Sequence, residues 1–218
     1  MAHSVRRGAC LALVLALAAG PGVCGTTVTL ALRDASGAAV PSAVVYLDGA
    51  ARGPVKAPTQ VVIDQRDKVF VPEVTVVQAG TDISFPNSDS VSHHVYSFAQ
   101  PNAFELPLYK GGTRPLVRFD HPGVVTLGCN IHDSMIGYVV VVETPHFATT
   151  DANGSVTLPN VAPGSYQVQV WSPRLDPSKA IAGGALTVGP TPQSQSVSLG
   201  RKLRPAPGGG GSLAAGDY

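Results

Sequence analysis

One stretch decides the fold predicted for this chain: Gly128-Cys129-Asn130-Ile131-His132-Asp133-Ser134-Met135. It places a thiol, an imidazole and a thioether at successive third positions, in the pattern C-x-x-H-x-x-M. Cys and Met are soft ligands that favour copper, especially Cu(I), and imidazole binds both oxidation states of copper. Zinc takes Cys, His and carboxylate ligands, so the Met argues against zinc. The spacing therefore predicts a copper site.

Apolar runs flank this loop on both sides. Val124-Val125-Thr126-Leu127 precedes the Cys, and Tyr138-Val139-Val140-Val141-Val142 follows the Met. Each run predicts a buried β-strand, so we expect the three side chains on a tight loop that two strands hold rigidly. A blue-copper site also needs a second imidazole from elsewhere in the chain. The segment 87–95, Asn-Ser-Asp-Ser-Val-Ser-His-His-Val, offers one.

A longer upstream stretch carries a family resemblance. It runs Phe70-Val71-Pro72, then Val76-Val77-Gln78-Ala79-Gly80-Thr81-Asp82-Ile83-Ser84-Phe85-Pro86-Asn87-Ser88-Asp89. With the Cys–His–Met loop, it resembles the cupredoxins, the family of plastocyanin, pseudoazurin and amicyanin, whose pattern is F-x-P … V-x-x-G-x-x-V-x-F-x-N-x-D. The resemblance covers roughly residues 60–144, and the short loop spacing is that of amicyanin rather than plastocyanin.

The resemblance implies an all-β protein in which residues 59–144 form a Greek-key cupredoxin β-sandwich. It implies a single type 1 copper ion that cycles between Cu(I) and Cu(II), with Met135 as the weak axial ligand. The four implied metal ligands are His93, Cys129, His132 and Met135.

The upstream segment leaves one choice between adjacent imidazoles. The family's first His follows its Asn by six residues, which favours His93, but His94 stands where the family usually has Asn. Neighbouring residues of a strand point to opposite faces, so we expect His94 to face away from the metal. The family position of Asn87 predicts a hydrogen bond that braces the Cys loop. Asp89 is either an outer hydrogen-bonding partner of the site or a cap of the strand end.

The first 25 residues predict a cleaved secretory signal peptide, and hence a periplasmic or otherwise exported protein. Arg6 and Arg7 give the positive start, and the apolar core 9–19 is too short to span a membrane. The paired Arg and Cys24 leave twin-arginine export and a lipoprotein anchor open as alternatives. Once the signal is removed, Cys129 is an unpaired thiol in an exported protein, which metal coordination explains.

Composition narrows the function classes further. Only 13% of the residues are charged and the net charge is +1, so nothing indicates the basic patch of a nucleic-acid binder. The chain has 24 Gly and 19 Pro, and Val and Thr recur in short runs, which is typical of an all-β protein with many turns. We expect no transmembrane segment in the mature chain.

The segments outside the copper region complete one another. Residues 27–47 predict a hairpin, but no neighbouring segment of the sequence would cover its apolar face. Residues 147–171 predict further strands and turns, but they lack the first strands of a complete sandwich. Together they resemble a carboxypeptidase-regulatory-like β-sandwich, with residues 26–58 as its first part and 145–200 as its second. The matching positions are Asp34, Gly37, Ala43, Val45 and Leu47, then Thr150, Asp151, Gly154, Leu158, Gly164, Tyr166 and Val170.

This arrangement predicts that the cupredoxin is inserted into a loop of the second, smaller sandwich, as exposed loops tolerate. The combination resembles exported proteins of the methylamine-utilisation type. Residues 201–218, which are rich in Pro and Gly, predict a disordered tail.

Four functions compete for this sequence. The complete ligand set favours an electron-transfer protein that is not an enzyme and that exchanges electrons with a redox partner protein. A multicopper enzyme would need further His clusters, and the remaining His residues of the predicted mature chain, His94, His121 and His146, are scattered along the sequence. A copper chaperone would favour Met-rich tracts, and the chain has two Met in total. A partner-binding β-sandwich module without a redox role is the last alternative.

Overall fold

The computed structural model describes residues 25–49, 61–111 and 116–205. Within these ranges the chain forms strands and no helix, which confirms the predicted all-β class, and accordingly no helix there is long and apolar enough to cross a membrane. The predicted signal peptide up to residue 24, the connection 50–58 and the chain beyond residue 205 lie outside the described residues. The strands are β1 Thr26–Arg33, β2 Val44–Gly49, β3 Val61–Val62, β4 Asp64–Arg66, β5 Val69–Val71, β6 Val74–Gln78, β7 Thr81–Ser84, β8 His93–Ser97, β9 Phe104–Tyr109, β10 Val117–Phe119, β11 Gly123–Gly128, β12 Ile136–Val142, β13 Phe147–Thr149, β14 Ser155–Val161, β15 Gly164–Trp171, β16 Ile181–Val188 and β17 Gln193–Ser198.

The middle of the chain builds the sheet that carries the predicted copper loop. Its strand order is β6-β12-β11-β8-β9, and the strands predicted to flank the loop are β11 and β12. A smaller sheet, β10-β7-β3, supplies the opposite side of a shared apolar core, so the two sheets pack as layers. The core includes Ile83 and Phe119 from the smaller sheet and Leu127, Cys129 and Met135 from the larger sheet and its loop.

The run of valines in β12 is explained by burial on both faces. Alternate residues of a strand point to opposite sides. Val139 and Val141 enter the core beneath the sheet, whereas Val140 and Val142 join a separate buried cluster on its outer face. A strand that is covered on both faces needs no polar alternation, which accounts for the uninterrupted apolar sequence.

Strands from before and after the middle of the chain complete the outer cluster. Trp171 at the end of β15 is fully buried there, and its ring centroid lies 5.1 Å from that of Tyr138. Val44 of β2 belongs to the same cluster. The outer strands therefore cover one part of the outer face of the five-stranded sheet.

The outer strands form two sheets, with the orders β14-β1-β17 and β13-β2-β15-β16. In both sheets, strands from before residue 50 pair with strands from after residue 146. The inward side chains of both sheets share one apolar core. The division of the chain into an inserted and an interrupted domain, and the carboxypeptidase-regulatory-like assignment, stay predictions.

The predicted hairpin over residues 27–47 is wrong. β1 and β2 lie in different sheets and do not pair with each other; the connection between them makes one isolated bridge, between Arg33 and Ala39. The connection crosses between the layers: the Asp34 carboxylate accepts hydrogen bonds from the Ser36 and Ala38 N–H groups, at 2.8 and 3.1 Å. Placing the strands in opposite layers lets their apolar faces bury each other, which a hairpin in one sheet cannot do.

Residues 201–204 belong to the predicted disordered tail but make hydrogen bonds to the outer strands and their loops. Leu203 N–H donates to the Asp34 carboxylate at 3.2 Å, and Arg204 N–H donates to the Arg174 carbonyl at 2.9 Å. The ordered chain thus extends a few residues past the predicted boundary.

Candidate metal centre

Three neighbouring strands deliver the predicted ligands to one place. Cys129 follows the last residue of β11, His93 is the first residue of β8, and Met135 directly precedes β12. Gly128 of β11 pairs with Tyr96 of β8 on one side and with Ile136 of β12 on the other. The ends of three hydrogen-bonded strands therefore fix the positions of these side chains.

The structure places two imidazoles and one thiol close enough together to bind one metal ion. Cys129 Sγ lies 3.9 Å from His93 Nδ1 and 3.8 Å from His132 Nδ1, and all three potential ligand atoms lie within 4.8 Å of one another. Bonds of about 2.3 Å to sulfur and about 2.0 Å to nitrogen, set at a trigonal ~120°, would separate sulfur from nitrogen by about 3.7 Å. The observed distances match such a site.

Met135 lies in the same apolar surroundings as the thiol. Its N–H donates to the His132 carbonyl at 2.8 Å, which closes the turn after the imidazole, and its side chain is only 1% exposed. Met135 and Cys129 belong to the same buried cluster and line the same surface hollow. The soft donor set of one thiol, two imidazoles and a nearby thioether fits copper better than zinc.

A carboxylate holds the buried imidazole of His93. Asp89 Oδ2 lies 3.0 Å from His93 Nε2 and also accepts the Lys68 N–H at 2.9 Å. These hydrogen bonds, first that of His93, hold the pKa of Asp89 well below its ordinary value. An ionised carboxylate can only accept, so Nε2–H is the donor in this contact, and Nδ1 is the ring nitrogen that faces Cys129. Of the two predicted roles of Asp89, the geometry supports the outer hydrogen-bonding partner.

His94 lies outside this cluster. Its Nε2 is 2.9 Å from Glu105 Oε1, and its ring packs 5.3 Å from the ring of Tyr96. The adjacent imidazoles thus face different surroundings, as strand alternation predicts. His121 is exposed on a turn, and His146 is half-buried against Tyr166, where burial lowers its pKa. None of these three imidazoles joins the His93–Cys129–His132 group.

The predicted bond from Asn87 to the Cys loop is not present. Asn87 Nδ2 donates instead to the Val91 and Tyr109 carbonyls at 3.0 and 2.9 Å, and its Oδ1 accepts the Asp89 N–H at 2.9 Å. Asn87 is buried between the segment that leads to His93 and the end of β9. Its side chain therefore braces the segment that leads to His93 rather than the Cys loop.

A further aromatic side chain beside the site has no signal in the sequence. A Cβ atom on Gly128 would lie 2.8 Å from Tyr96 Cζ and 2.9 Å from Tyr96 Oη, so the phenol ring rests directly on the glycine backbone. Only the pairing of β8 with β11 brings the two residues together. Residues 32 positions apart cannot be connected by any local pattern.

The chain matches no protein-family model and has no significant match among curated proteins. Solved structures do resemble part of it. A purple cupredoxin from Nitrosopumilus maritimus shares 25% identity over 38% of this chain and 98% of its own, with a TM-score of 0.33. A reduced Cu(I) form of an amicyanin mutant shares 21% identity over 45% of this chain and 98% of its own, with a TM-score of 0.36.

The third comparison is with a longer protein. A copper-containing nitrite reductase from Thermus scotoductus shares 24% identity over 44% of this chain, with a TM-score of 0.37. This chain spans only 25% of that protein's length. Two of these three structures are cupredoxins and one is a copper enzyme, and each of the three likenesses covers less than half of this chain.

Proposed function

We propose that this chain is an electron-transfer protein that holds a single type 1 copper ion, with His93, Cys129, His132 and Met135 as ligands. The observation that carries the proposal is the approach of Cys129 Sγ to His93 Nδ1 and His132 Nδ1, at 3.9 and 3.8 Å, in a buried pocket. Bound copper would supply the one-electron chemistry.

The protein contributes position and exclusion of water. His93 is fully buried and Cys129 is 4% exposed, so the surrounding core limits the movement of both side chains. Asp89 fixes the ring and the tautomer of His93 through the 3.0 Å contact with Nε2. Ligands that are held in place before and after the electron moves need little rearrangement, which suits a carrier of single electrons.

The same proposal covers the setting of the protein. A signal peptide before residue 25 would place it in the periplasm or otherwise outside the cytoplasm, where a redox partner protein would supply or accept the electron. We further propose that it is a carrier rather than an enzyme, and that it belongs to the methylamine-utilisation type, with the cupredoxin inserted in the outer β-sandwich.

Copper loading tests the proposal directly. The purified chain should bind one copper ion per molecule, and the oxidised form should show an intense blue or green absorption band from thiolate-to-copper charge transfer. Cys129→Ser should abolish the band, whereas Ser97→Ala, which changes another buried residue of the same sheet, should keep it. A full band in the Cys129→Ser variant would overturn the thiolate assignment and the function with it.

A further inference from the structure

The outer face of the five-stranded sheet is covered at one end and open at the other. Its cross-strand rows are Val124 with Val140, Thr126 with Tyr138, and Gly128 with Ile136. The first two rows lie toward the cluster around Trp171, which packs against Tyr138. The third row, nearest to the metal centre, continues on β8 through Tyr96, which pairs with Gly128.

The open end forms a groove with apolar walls, which we call the Tyr96 groove. It is a hollow of about 480 Å³ lined by Tyr96, Phe98, Ala99, Thr126, Leu127, Gly128, Cys129, Asp133, Met135 and Ile136. Phe98 is 82% exposed and Ile136 is 44% exposed, which is a large apolar surface for this small area. Exposed apolar patches of this kind mark interaction sites.

The floor of the groove lies directly on the metal centre. Gly128 has no side chain, and the ring of Tyr96 occupies the space where its Cβ would stand. The next residue is Cys129, which also lines the groove. A short path therefore leads from the Cys129 sulfur through the backbone of Gly128 to the Tyr96 ring, and from there to Phe98, whose ring centroid is 4.9 Å away. Electron tunnelling falls steeply with distance and favours such bonded and close-packed paths.

Two carboxylates lie at the groove. Among the described residues that line the groove, Asp133 alone is charged, and it is exposed. Glu105 pairs with Tyr96 across β8 and β9, and its side chain is 68% exposed. His94 holds that carboxylate beside Tyr96 through the 2.9 Å contact. An apolar surface with an acidic rim is complementary to an apolar surface with a basic rim.

We propose that the Tyr96 groove docks a basic electron-transfer protein and that the electron passes through Gly128 and Tyr96. The proposal rests on the proposed copper function and names the partner's chemistry: an apolar contact surface with lysine or arginine around it. One electron is exchanged between the metal and the partner's redox centre, so one centre is oxidised as the other is reduced. No bond forms or breaks, and no proton is transferred.

The experiment compares two exposed apolar residues near the metal, with a basic c-type cytochrome as the probe. Phe98→Lys places a positive charge in the groove, and Ile131→Lys places the same charge on the loop next to His132, where Ile131 is 52% exposed. The second-order rate constant for electron exchange is measured at low and high ionic strength. The absorption band and the reduction potential of each variant show whether its copper centre is intact.

We expect Phe98→Lys to lower the rate constant about tenfold at low ionic strength and Ile131→Lys to change it less than about twofold. Phe98→Ala should also slow exchange, at both ionic strengths, because it removes apolar contact without adding charge. An equal or larger effect of Ile131→Lys would place docking at the His132 loop and overturn the proposal. A wild-type rate that does not depend on ionic strength would overturn it as well.

Two further outcomes separate this proposal from its alternatives. If the wild-type chain sediments as a dimer that Phe98→Lys converts to monomers, the groove binds a second copy and the proposed partner is wrong. If the wild-type chain shows no charge-transfer band with copper, the copper function fails first. A normal band with unchanged exchange in Phe98→Lys leaves that function intact and removes only the docking site.

Discussion

Asp89 Oδ2 lies 3.0 Å from His93 Nε2, on the side of the ring away from Cys129. The carboxylate is itself held by the Lys68 and Ser90 N–H groups, at 2.9 and 2.6 Å. The imidazole therefore cannot rotate or exchange its ring proton without breaking a chain of hydrogen bonds. The orientation of Nδ1 toward Cys129 is therefore already fixed in the metal-free protein.

Asp89→Asn should weaken copper binding by about 10–100-fold, because an amide oxygen is a poorer acceptor and leaves the ring less firmly held. Competition with a copper chelator measures the affinity. Asp133→Asn is the matched control, since it removes an exposed carboxylate beside His132 and should change the affinity much less. Similar losses in both variants would mean that negative charge, rather than the contact with His93, supports binding.

The adjacent imidazoles should respond differently to deletion. His93→Gly should lose the charge-transfer band, and added imidazole should restore it by filling the space of the missing ring. His94→Gly should keep the band, because His94 contacts Glu105 and Tyr96 rather than Cys129. Absorption spectra of the copper-loaded variants decide the matter. Loss and rescue at His94 would shift the ligand assignment by one residue.

Gly128→Ala should destabilise the protein by about 1–3 kcal/mol, because the added methyl group would overlap the Tyr96 ring. Urea unfolding of the metal-free protein measures the free energy. In a double variant, Tyr96→Ala removes the ring that the methyl group of Gly128→Ala would overlap. Gly128→Ala should therefore lower the free energy of unfolding less in the Tyr96→Ala background than in the wild type. If the cost is the same with and without the Tyr96 ring, the two residues are not in contact.

The Asp34 carboxylate makes the stability depend on acid pH. Its hydrogen bonds, first that of the Ser36 hydroxyl, lower its pKa from 3.8 to about 2. The ionised form is therefore favoured in the folded state, and its contribution is fully present above the unfolded pKa of 3.8 and is lost as the pH falls toward 2. Asp34→Asn should reduce the loss of stability between neutral and acid pH in urea titrations. Asp67→Asn, at an exposed turn, should keep the wild-type profile.

The outer strands should fold without the middle of the chain. Leu47 N–H donates to the His146 carbonyl at 3.0 Å, so the chain leaves and re-enters the outer sheets at adjacent points. Replacing residues 50–144 with a short glycine loop should give a cooperatively folding protein by circular dichroism. Its stability should be reduced, because Trp171 would lose the cover of Val140 and Val142. A non-cooperative, unfolded product would contradict the insertion proposal.

The sequence by itself determined the parts of this protein that depend on local spacing. The C-x-x-H-x-x-M pattern between two apolar runs predicted a loop between strands, and β11 and β12 flank it as expected. Alternation along a strand predicted that His94 would face away from His93, and it does. Such predictions succeed because side-chain direction and strand formation follow from neighbouring residues.

Only the tertiary structure decided which strands pair. Local pattern suggested a hairpin from β1 and β2, but their apolar faces are buried better in two layers, with β14 and β15 as partners. The family position of Asn87 predicted a bond to the Cys loop, whereas its side-chain amide donates to the Val91 and Tyr109 carbonyls. The contact of Tyr96 with Gly128 has the same origin. Pairing between distant strands minimises the apolar surface that the whole chain exposes to water. This total depends on all the strands together, so it cannot be predicted from a short stretch of sequence.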